Sequence, residues 1–101
     1  MNKVIKDGKV AVLISRGYGA GFYTWGAPIE AIFDPKLVEL VGSEDFDGAN
    51  EYARNTYMDT YIGGVEDLVV VWVDEGEDFI INEYDGSESI QLKSKTEWIT
   101  A

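Results

Sequence analysis

Residues 16–26, which read RGYGAGFYTWG, follow directly on the apolar run VAVLI at residues 10–14 and constrain the fold more than any other stretch. Three glycines alternate with other residues, at positions 17, 19 and 21. Glycine permits backbone conformations and close approaches that a Cβ forbids. We therefore expect a loop that follows a buried strand and presents bare N–H groups to an anion or to a flat ring.

Four aromatic residues lie within positions 18–25, among and after the glycines. Aromatic rings stack on a flat ligand, and an arginine forks onto a phosphate or stacks on a ring. The predicted ligand-binding residues are Arg16, Gly17, Tyr18, Gly19, Gly21, Phe22, Tyr23, Thr24 and Trp25. In the alternative interpretation, the segment is a mobile loop whose aromatic side chains fill the core. Phe22 and Trp25 suit the core, whereas Tyr18 and Tyr23 suit a ligand because their hydroxyls tolerate water.

The glycine segment matches no known phosphate-binding fingerprint. The dinucleotide fingerprint has glycines at its first, third and sixth positions and opens a helix. Here the residues FYTWG follow the last of the three glycines and make a poor helix start. The Gly-Lys-Ser/Thr of a Walker loop does not follow either. The sequence therefore predicts no cofactor, and any ligand site in this segment is of a generic kind.

Residue types needed for common catalytic chemistry are missing. The chain has no histidine and no cysteine, which removes the usual general base near neutral pH, disulfides and thiolate metal sites. No pair of carboxylates stands out among the 19 acidic residues. The acidic clusters at residues 44–47 and 74–78 lack the ligand spacing of a calcium loop and fit solvated turns. We predict no catalytic residue, no metal site and a non-enzymatic protein.

The formal net charge is −11 and is unevenly distributed. Residues 1–16 hold four basic residues against Asp7 alone, a balance of +3, so a locally basic stretch leads into the glycine segment. Duplex DNA binding needs clustered lysine and arginine, so general nucleic-acid binding is disfavoured. No apolar run is long enough to span a bilayer, and the N-terminus does not read as a signal peptide. We expect no membrane association and a cytoplasmic protein.

Turn and capping signals divide the first part of the chain into elements. Asp7-Gly8 between two apolar stretches predicts a hairpin, and its second strand, at residues 9–15, reads as central because five consecutive positions are apolar. Residues 29–33 read as a short strand. Asp34-Pro35 predicts the start of a helix that ends near residue 42.

A second helix is predicted over residues 47–58 from apolar positions at helical spacing. The last third of the chain is rich in β-branched residues and reads as a three-stranded meander over residues 68–93, with a turn at Asp85-Gly86. Trp98 and Ile99 in the C-terminal tail are expected to pack back or to meet a partner.

The predicted fold class is α+β, in a single domain at residues 1–101. We expect a mainly antiparallel sheet of four to six strands with two helices packed on one face. No repeat, linker or low-complexity stretch divides the chain.

Three segments together resemble a group of small acidic proteins encoded by phages and prophages. They read KVAVLISRGYGAG (9–21), FDPKLVELV (33–41) and INEYDGSESI (81–90), and EYDGSESI is the most specific part. The resemblance covers residues 9–92 and brings no catalytic residue with it. It implies a setting in the host-cell cytoplasm and, by analogy with other small phage accessory proteins, a role in counter-defence.

Two functions fit these features, and the glycine-aromatic loop favours the first. In the first, the protein is a non-enzymatic binder that sequesters a nucleotide-derived bacterial immune signal, held between backbone N–H groups, Arg16 and one or two tyrosines. In the second, the protein is an inhibitor directed at other proteins, and its acidic surface mimics nucleic acid or docks on a basic host protein. The six tyrosines favour interfaces, so a homo-oligomer is also expected.

Overall fold

Strand β2 (Lys9–Ser15) is the middle strand of a three-stranded antiparallel sheet, and six of its seven residues are buried. The computed structural model describes residues 2–95. The other strands are β1 (Ile5–Lys6), β3 (Leu68–Asp74), β4 (Phe79–Tyr84) and β5 (Ser87–Leu92). The α-helices of this region are α1 (Ile29–Phe33), α2 (Pro35–Gly42) and α3 (Phe46–Thr56). Short 3-10 turns lie at Tyr23–Trp25, Val65–Asp67 and Lys93–Lys95.

Both predicted hairpin turns are confirmed. Asp7 and Gly8 have φ angles of 53° and 76°, and Asp85 and Gly86 have φ angles of 49° and 89°. Positive φ at both central residues marks the type I′ turn, whose twist matches that of paired strands. The first turn joins β1 to β2, and the second joins β4 to β5.

Helix α2 begins as predicted, with Asp34 as its N-cap. The Oδ1 atom of Asp34 accepts hydrogen bonds from the backbone N–H groups of Lys36 (2.9 Å) and Leu37 (3.2 Å). Pro35 occupies the first turn, where its missing N–H leaves no hydrogen bond unmade. The cap therefore fixes where α1 ends and α2 begins.

The second oxygen of Asp34 joins α2 to α3. Its Oδ2 atom accepts hydrogen bonds from the hydroxyls of Tyr52 (2.8 Å) and Tyr57 (2.6 Å). Burial raises the pKa of both tyrosines above the usual 10, and the hydrogen bond to the Asp34 carboxylate raises it further. Both hydroxyls are therefore protonated donors at neutral pH, and the Tyr52 side chain packs its helix against the core.

Residues 29–33, expected as a strand, form helix α1 instead. Pro28 precedes the helix in an extended conformation, and Ala31, Ile32 and Phe33 are buried. A short apolar run fits a buried strand and a buried helix equally well, and here the segment is a helix that packs on β2. The described region therefore has three α-helices where two were predicted.

The predicted meander over residues 68–93 is wrong in its pairing. β3 pairs with β2 along its whole length, from Lys9 opposite Asp74 to Ser15 opposite Leu68, and lies at the edge of that sheet. β2 needs such a partner because β1 pairs with its opposite edge, and the buried backbone groups along the other edge require hydrogen bonds. β4 and β5 form a separate antiparallel pair, so the predicted α+β class is confirmed with the strands divided between two sheets.

Both sheets pack on one hydrophobic core. The apolar residues of β2 and the buried faces of the three helices form its centre, and inward side chains of β4 and β5 pack against it. The largest fully buried apolar side chains are those of Phe22, Leu13, Ile14, Ile32, Leu37 and Leu68. Within residues 2–95, no helix has the length and apolar character needed to cross a membrane. Trp98 and Ile99 lie outside the described residues.

Candidate functional site

The glycine segment is a loop between β2 and α1, and it packs on the hairpin formed by β4 and β5. The hydroxyl of Ser15, at the end of β2, donates to the carbonyl of Ala20 (2.9 Å). The hydroxyl of Tyr61 donates to the carbonyl of Gly21 (3.2 Å), and the loop then closes in the 3-10 turn Tyr23–Trp25. The predicted loop is confirmed and is anchored at several points along its length.

The centre of this contact is Glu88 on β5, whose side chain is 1% exposed. Its Oε1 atom accepts a hydrogen bond from the backbone N–H of Ser15 (2.8 Å). Its Oε2 atom accepts from the backbone N–H groups of Phe22 (3.1 Å) and Thr24 (2.9 Å) and from the Thr24 hydroxyl (2.7 Å). Charge-assisted hydrogen bonds of this kind offset the removal of a carboxylate from water. We call these four residues the Glu88 cradle.

The Glu88 cradle has the form that the sequence predicted for a ligand site, but the chain itself supplies the anion. Backbone N–H groups of a glycine-rich loop converge on a carboxylate, as in other anion-binding concavities. The N–H groups of Phe22 and Thr24 are therefore engaged within the fold. A phosphate from outside would have to displace a buried side chain to reach them.

The same hairpin contacts the loop at further points, one of them the hydrogen bond from the Ser87 hydroxyl to the carbonyl of Arg16 (3.2 Å). Glu83 on β4 accepts hydrogen bonds from the indole N–H of Trp25 (2.7 Å) and from the backbone N–H of Gly86 (2.9 Å). These two donors lower the pKa of the Glu83 carboxyl, and the indole has the larger effect. The backbone N–H of Gly19 donates to the carbonyl of Asp85 (2.6 Å). The loop is thus held by the turn of the hairpin as well as by Glu88.

Gly86 allows the turn of the hairpin to approach the loop this closely. Its φ of +89° lies in the region that side chains rarely adopt, and a Cβ there would lie 2.5 Å from the backbone nitrogen of Ala20. Any larger residue would therefore strain the backbone and push the hairpin away from the loop.

The aromatic residues of the loop face different environments. Phe22 is fully buried, as predicted for a core residue. Trp25 is 42% exposed, so its prediction as a core residue is wrong, because its indole N–H reaches outward to Glu83. Tyr18 is 72% exposed and Tyr23 is 38% exposed, so both remain accessible, as their prediction as ligand contacts requires.

The start of the loop lies in acidic surroundings. Arg16 is exposed, and its backbone N–H donates to the carbonyl of Asp67 (3.0 Å). The Asp67 carboxyl lies against Gly17, where a Cβ would overlap it. The structure therefore leaves Arg16 and Tyr18 exposed on either side of Gly17, where the Asp67 carboxyl lies, whereas the backbone N–H groups of Phe22 and Thr24 point inward to Glu88.

A groove that the sequence reasoning missed lies between α1 and β4, and we call it the α1–β4 groove. Its volume is about 630 Å³, within the range of small-ligand sites. Most of its lining is apolar, and its lining residues include Tyr23, Ile29, Ile32, Phe33, Phe79, Ile80 and Ile81. Of the residues predicted to bind a ligand, all of which the structure describes, Tyr23 is the one that lines this groove.

One end of the α1–β4 groove is charged. The Nζ atom of Lys3 lies 4.6 Å from the centroid of the Phe33 ring, in a cation–π contact. Glu77 and Asp78 also line the groove. Lys3, Phe33, Glu77 and Asp78 line a smaller adjoining cavity as well. This end of the groove therefore combines a cation–π contact with two acidic lining residues.

Part of the signal for this groove is present in the sequence. Ile29, Ile32 and Phe33 recur at helical spacing, but a five-residue segment is too short for that spacing to outweigh a strand interpretation. The position of β4 opposite this helix depends on long-range packing that no local pattern encodes.

The acidic clusters have structural roles or lie at turns. Asp45 caps α3 by accepting a hydrogen bond from the backbone N–H of Gly48 (2.9 Å). Glu75 and Gly76 form the turn after β3. Across the part of the chain that the structure describes, no group of three or more carboxylates is arranged to hold a metal ion.

Comparison with known proteins adds no family to these observations. No protein-family model, no curated protein and no solved structure matches this chain. The resemblance to small acidic phage and prophage proteins therefore stays a prediction. The functional proposals rest on the geometry of the Glu88 cradle and of the α1–β4 groove.

Replacing Glu88 with glutamine keeps the shape of the side chain but makes one oxygen an NH₂ group, which faces the N–H donors of the cradle. We expect Glu88→Gln to lower the free energy of unfolding by about 2–4 kcal/mol, because charge-assisted bonds are lost and a buried donor is left unsatisfied. Urea unfolding measures this change. The matched control Glu51→Gln, at an exposed position on α3, should change stability by less than about 0.5 kcal/mol. Equal effects for the two variants would contradict the role of the cradle.

Acid titration reports the contact between Glu83 and Trp25. Because hydrogen bonding lowers the pKa of Glu83 in the folded state, the contact is present at neutral pH and is lost as the pH falls through that lowered value. The indole N–H signal of Trp25 in a two-dimensional NMR spectrum should shift with a midpoint below 4.5, the ordinary value for glutamate. A midpoint at or above 4.5 would show that this contact does not form in solution.

Proposed function

We propose that the protein is a non-enzymatic binding protein that docks on a basic partner protein. The observation that carries this proposal is the α1–β4 groove, whose lining is mostly apolar and which has at one end a cation–π contact of Lys3 with Phe33 and two acidic lining residues, Glu77 and Asp78. A partner segment with apolar residues and a lysine or arginine matches this chemistry. The proposal corresponds to the protein-directed function expected from the acidic composition.

The overall charge supports a basic partner. Residues 17–101 hold four basic and eighteen acidic residues, a balance of −14. A surface of one sign steers an oppositely charged partner and makes its association sensitive to salt. Near the groove, Asp78 has a distant ion pair with Lys93 (3.9 Å), and both side chains are largely exposed. A partner can therefore reach the Asp78 carboxylate with little loss of its hydration.

Binding rather than catalysis is supported by the way the buried carboxylates are used. Glu88 accepts four hydrogen bonds from the loop and from the end of β2. Asp34 accepts two from the backbone of α2 and two from tyrosines. Both groups stabilise the fold, and the chain has no histidine or cysteine to act as a base or nucleophile.

The biological setting that we propose follows from the resemblance to phage and prophage proteins. The partner is then a basic protein of the bacterial host cytoplasm, and the role is counter-defence. A homo-oligomer is part of the same proposal, because exposed tyrosines such as Tyr18 and Tyr84 favour interfaces. Native mass spectrometry of the purified protein measures its oligomeric state.

The proposed function is tested with the tagged protein as bait in bacterial lysate at about 50 mM and about 0.5 M salt, conditions that differ strongly in charge screening. We expect a basic protein to be retained at low salt and released at high salt. Ile29→Glu places a carboxylate in the apolar groove and should abolish retention of the partner. This loss is expected even though the added negative charge by itself would attract a basic protein more strongly.

The control variant Met58→Glu adds the same charge at a position that is 75% exposed and does not line the groove. It should retain the partner as well as the unmodified protein does. Equal retention by the two variants, or no partner at either salt concentration, would overturn the proposal.

Sequestration of a nucleotide-derived signal is a second candidate function. The observation in its favour is that Arg16 and Tyr18, two of the predicted contacts, are exposed on the same loop. The engagement of Phe22 and Thr24 by Glu88 and the nearby Asp67 carboxyl make this site less suited to an anion than the sequence suggested. We therefore place this function second.

Isothermal titration calorimetry against cyclic dinucleotides, cyclic trinucleotides and cyclic ADP-ribose isomers tests the second candidate. If one of them binds, Arg16→Ala should weaken binding by about 1.5–3 kcal/mol, the magnitude of a hydrogen bond to a charged group. Arg54→Ala, at an exposed position on α3, is the matched control and should leave binding unchanged. If none of these compounds gives a heat of binding, the hypothesis that the protein sequesters a nucleotide-derived signal is wrong.

A further inference from the structure

Strand β4 has an edge without a strand partner among residues 2–95, because β5 covers only one of its sides. In a hairpin with a two-residue turn, the residues that flank the turn form a hydrogen-bonded pair, and bonded pairs then alternate with non-bonded ones. Tyr84 and Ser87 flank the turn. The backbone groups of Ile80 therefore point towards β5, whereas those of Phe79 and Ile81 point towards the free edge.

This free edge opens into the α1–β4 groove. Phe79, Ile80 and Ile81 all line the groove, although neighbouring side chains of a strand point to opposite faces of a sheet. The groove therefore runs along the edge of β4 and not over one face. Ile29 and Ile32 of α1 form the opposite wall.

The open part of the edge is bounded at both ends. At one end the indole of Trp25 bonds to Glu83. At the other end lie Glu77 and Asp78, with the ammonium group of Lys3 over Phe33 in the same groove. Between these limits the outward N–H and C=O groups can pair with an extended segment of about four to five residues.

We infer that the α1–β4 groove binds an extended segment of the partner as a strand added to β4, with a lysine or arginine at the end beside Phe33. This inference rests on the proposed function and specifies how the partner is bound. Hydrogen bonds to the backbone of Phe79 and Ile81 hold the added strand, and alternate apolar side chains pack on the wall of α1.

The charged end of the groove fixes the direction and chemistry of the segment. Its basic side chain displaces the exposed Lys3 side chain from the Phe33 ring, and the exposed Asp78 carboxylate offsets its charge. A basic segment complements this end, whereas a second copy of a chain with net charge −11 is a poorer match.

The inference is tested by selecting decapeptides from a random display library on the immobilised full chain. The peptides that bind should carry apolar residues at alternate positions and a lysine or arginine at one end. They should bind Met58→Glu as well as the unmodified chain and should not bind Ile29→Glu. Circular dichroism spectra confirm that both variants are folded.

Backbone N-methylation of a selected peptide then tests strand addition directly. Only alternate N–H groups of an added strand face β4, so methylation at those positions should weaken binding by about tenfold, and methylation at the positions between them by less than about threefold. Replacing the basic residue with norleucine should weaken binding by about two- to fivefold, the range of an exposed cation–π contact. Calorimetry measures each affinity.

The possible outcomes separate this inference from the proposed function. Peptides that need the groove but show no alternating effect of N-methylation overturn strand addition and leave the proposed function intact. Selection of peptides without a basic residue, or formation of dimers that the peptides compete with in analytical ultracentrifugation, overturns the basic segment as occupant. If Ile29→Glu abolishes retention of the lysate partner but weakens the binding of no selected peptide, the partner binds the groove by another mode and the inference is wrong.

Discussion

The structure depends most on the buried carboxylate of Glu88. A carboxylate removed from water is tolerated only when several good hydrogen bonds satisfy it, and a loop that is buried without partners for its N–H groups is equally unfavourable. Here the Glu88 carboxylate accepts hydrogen bonds from the loop N–H groups, so both the buried charge and the buried donors are satisfied. The donors come from the end of β2 and from the loop after it, and the acceptor comes from β5. The first sheet, the loop and the second sheet are therefore joined at one point.

The two segments that stand out in the sequence turn out to contact each other. The glycine segment supplies Trp25 and the backbone of Gly19, and the EYDGSESI segment supplies Glu83, Asp85 and Glu88 to meet the loop. Their unusual composition has a structural explanation that needs no external ligand. This shifts the search for function to the α1–β4 groove, which is lined mostly by apolar side chains and has acidic residues at one end.

The sequence predicts those parts of the fold that local chemistry determines. The two Asp-Gly turns and the Asp34 cap are read correctly because each depends on a few neighbouring residues. The pairing of β3 with β2 and the helical form of α1 are missed because short apolar runs fit more than one structure. The sequence predicts that N–H groups of the glycine loop bind an anion, but it does not predict that this anion is the Glu88 carboxylate. Glu88 is one of 19 acidic residues, and nothing local marks it as the buried one.

Amide hydrogen exchange tests the central claim most directly, because it reports on the loop donors in the unmodified protein. The amides of Phe22 and Thr24 lie in a loop, where exchange is normally fast. If Glu88 holds them in solution, both should exchange as slowly as core amides of β2 and well over a hundredfold more slowly than an unstructured chain. Exchange of these two amides near the unstructured rate, while β2 stays protected, would contradict the account.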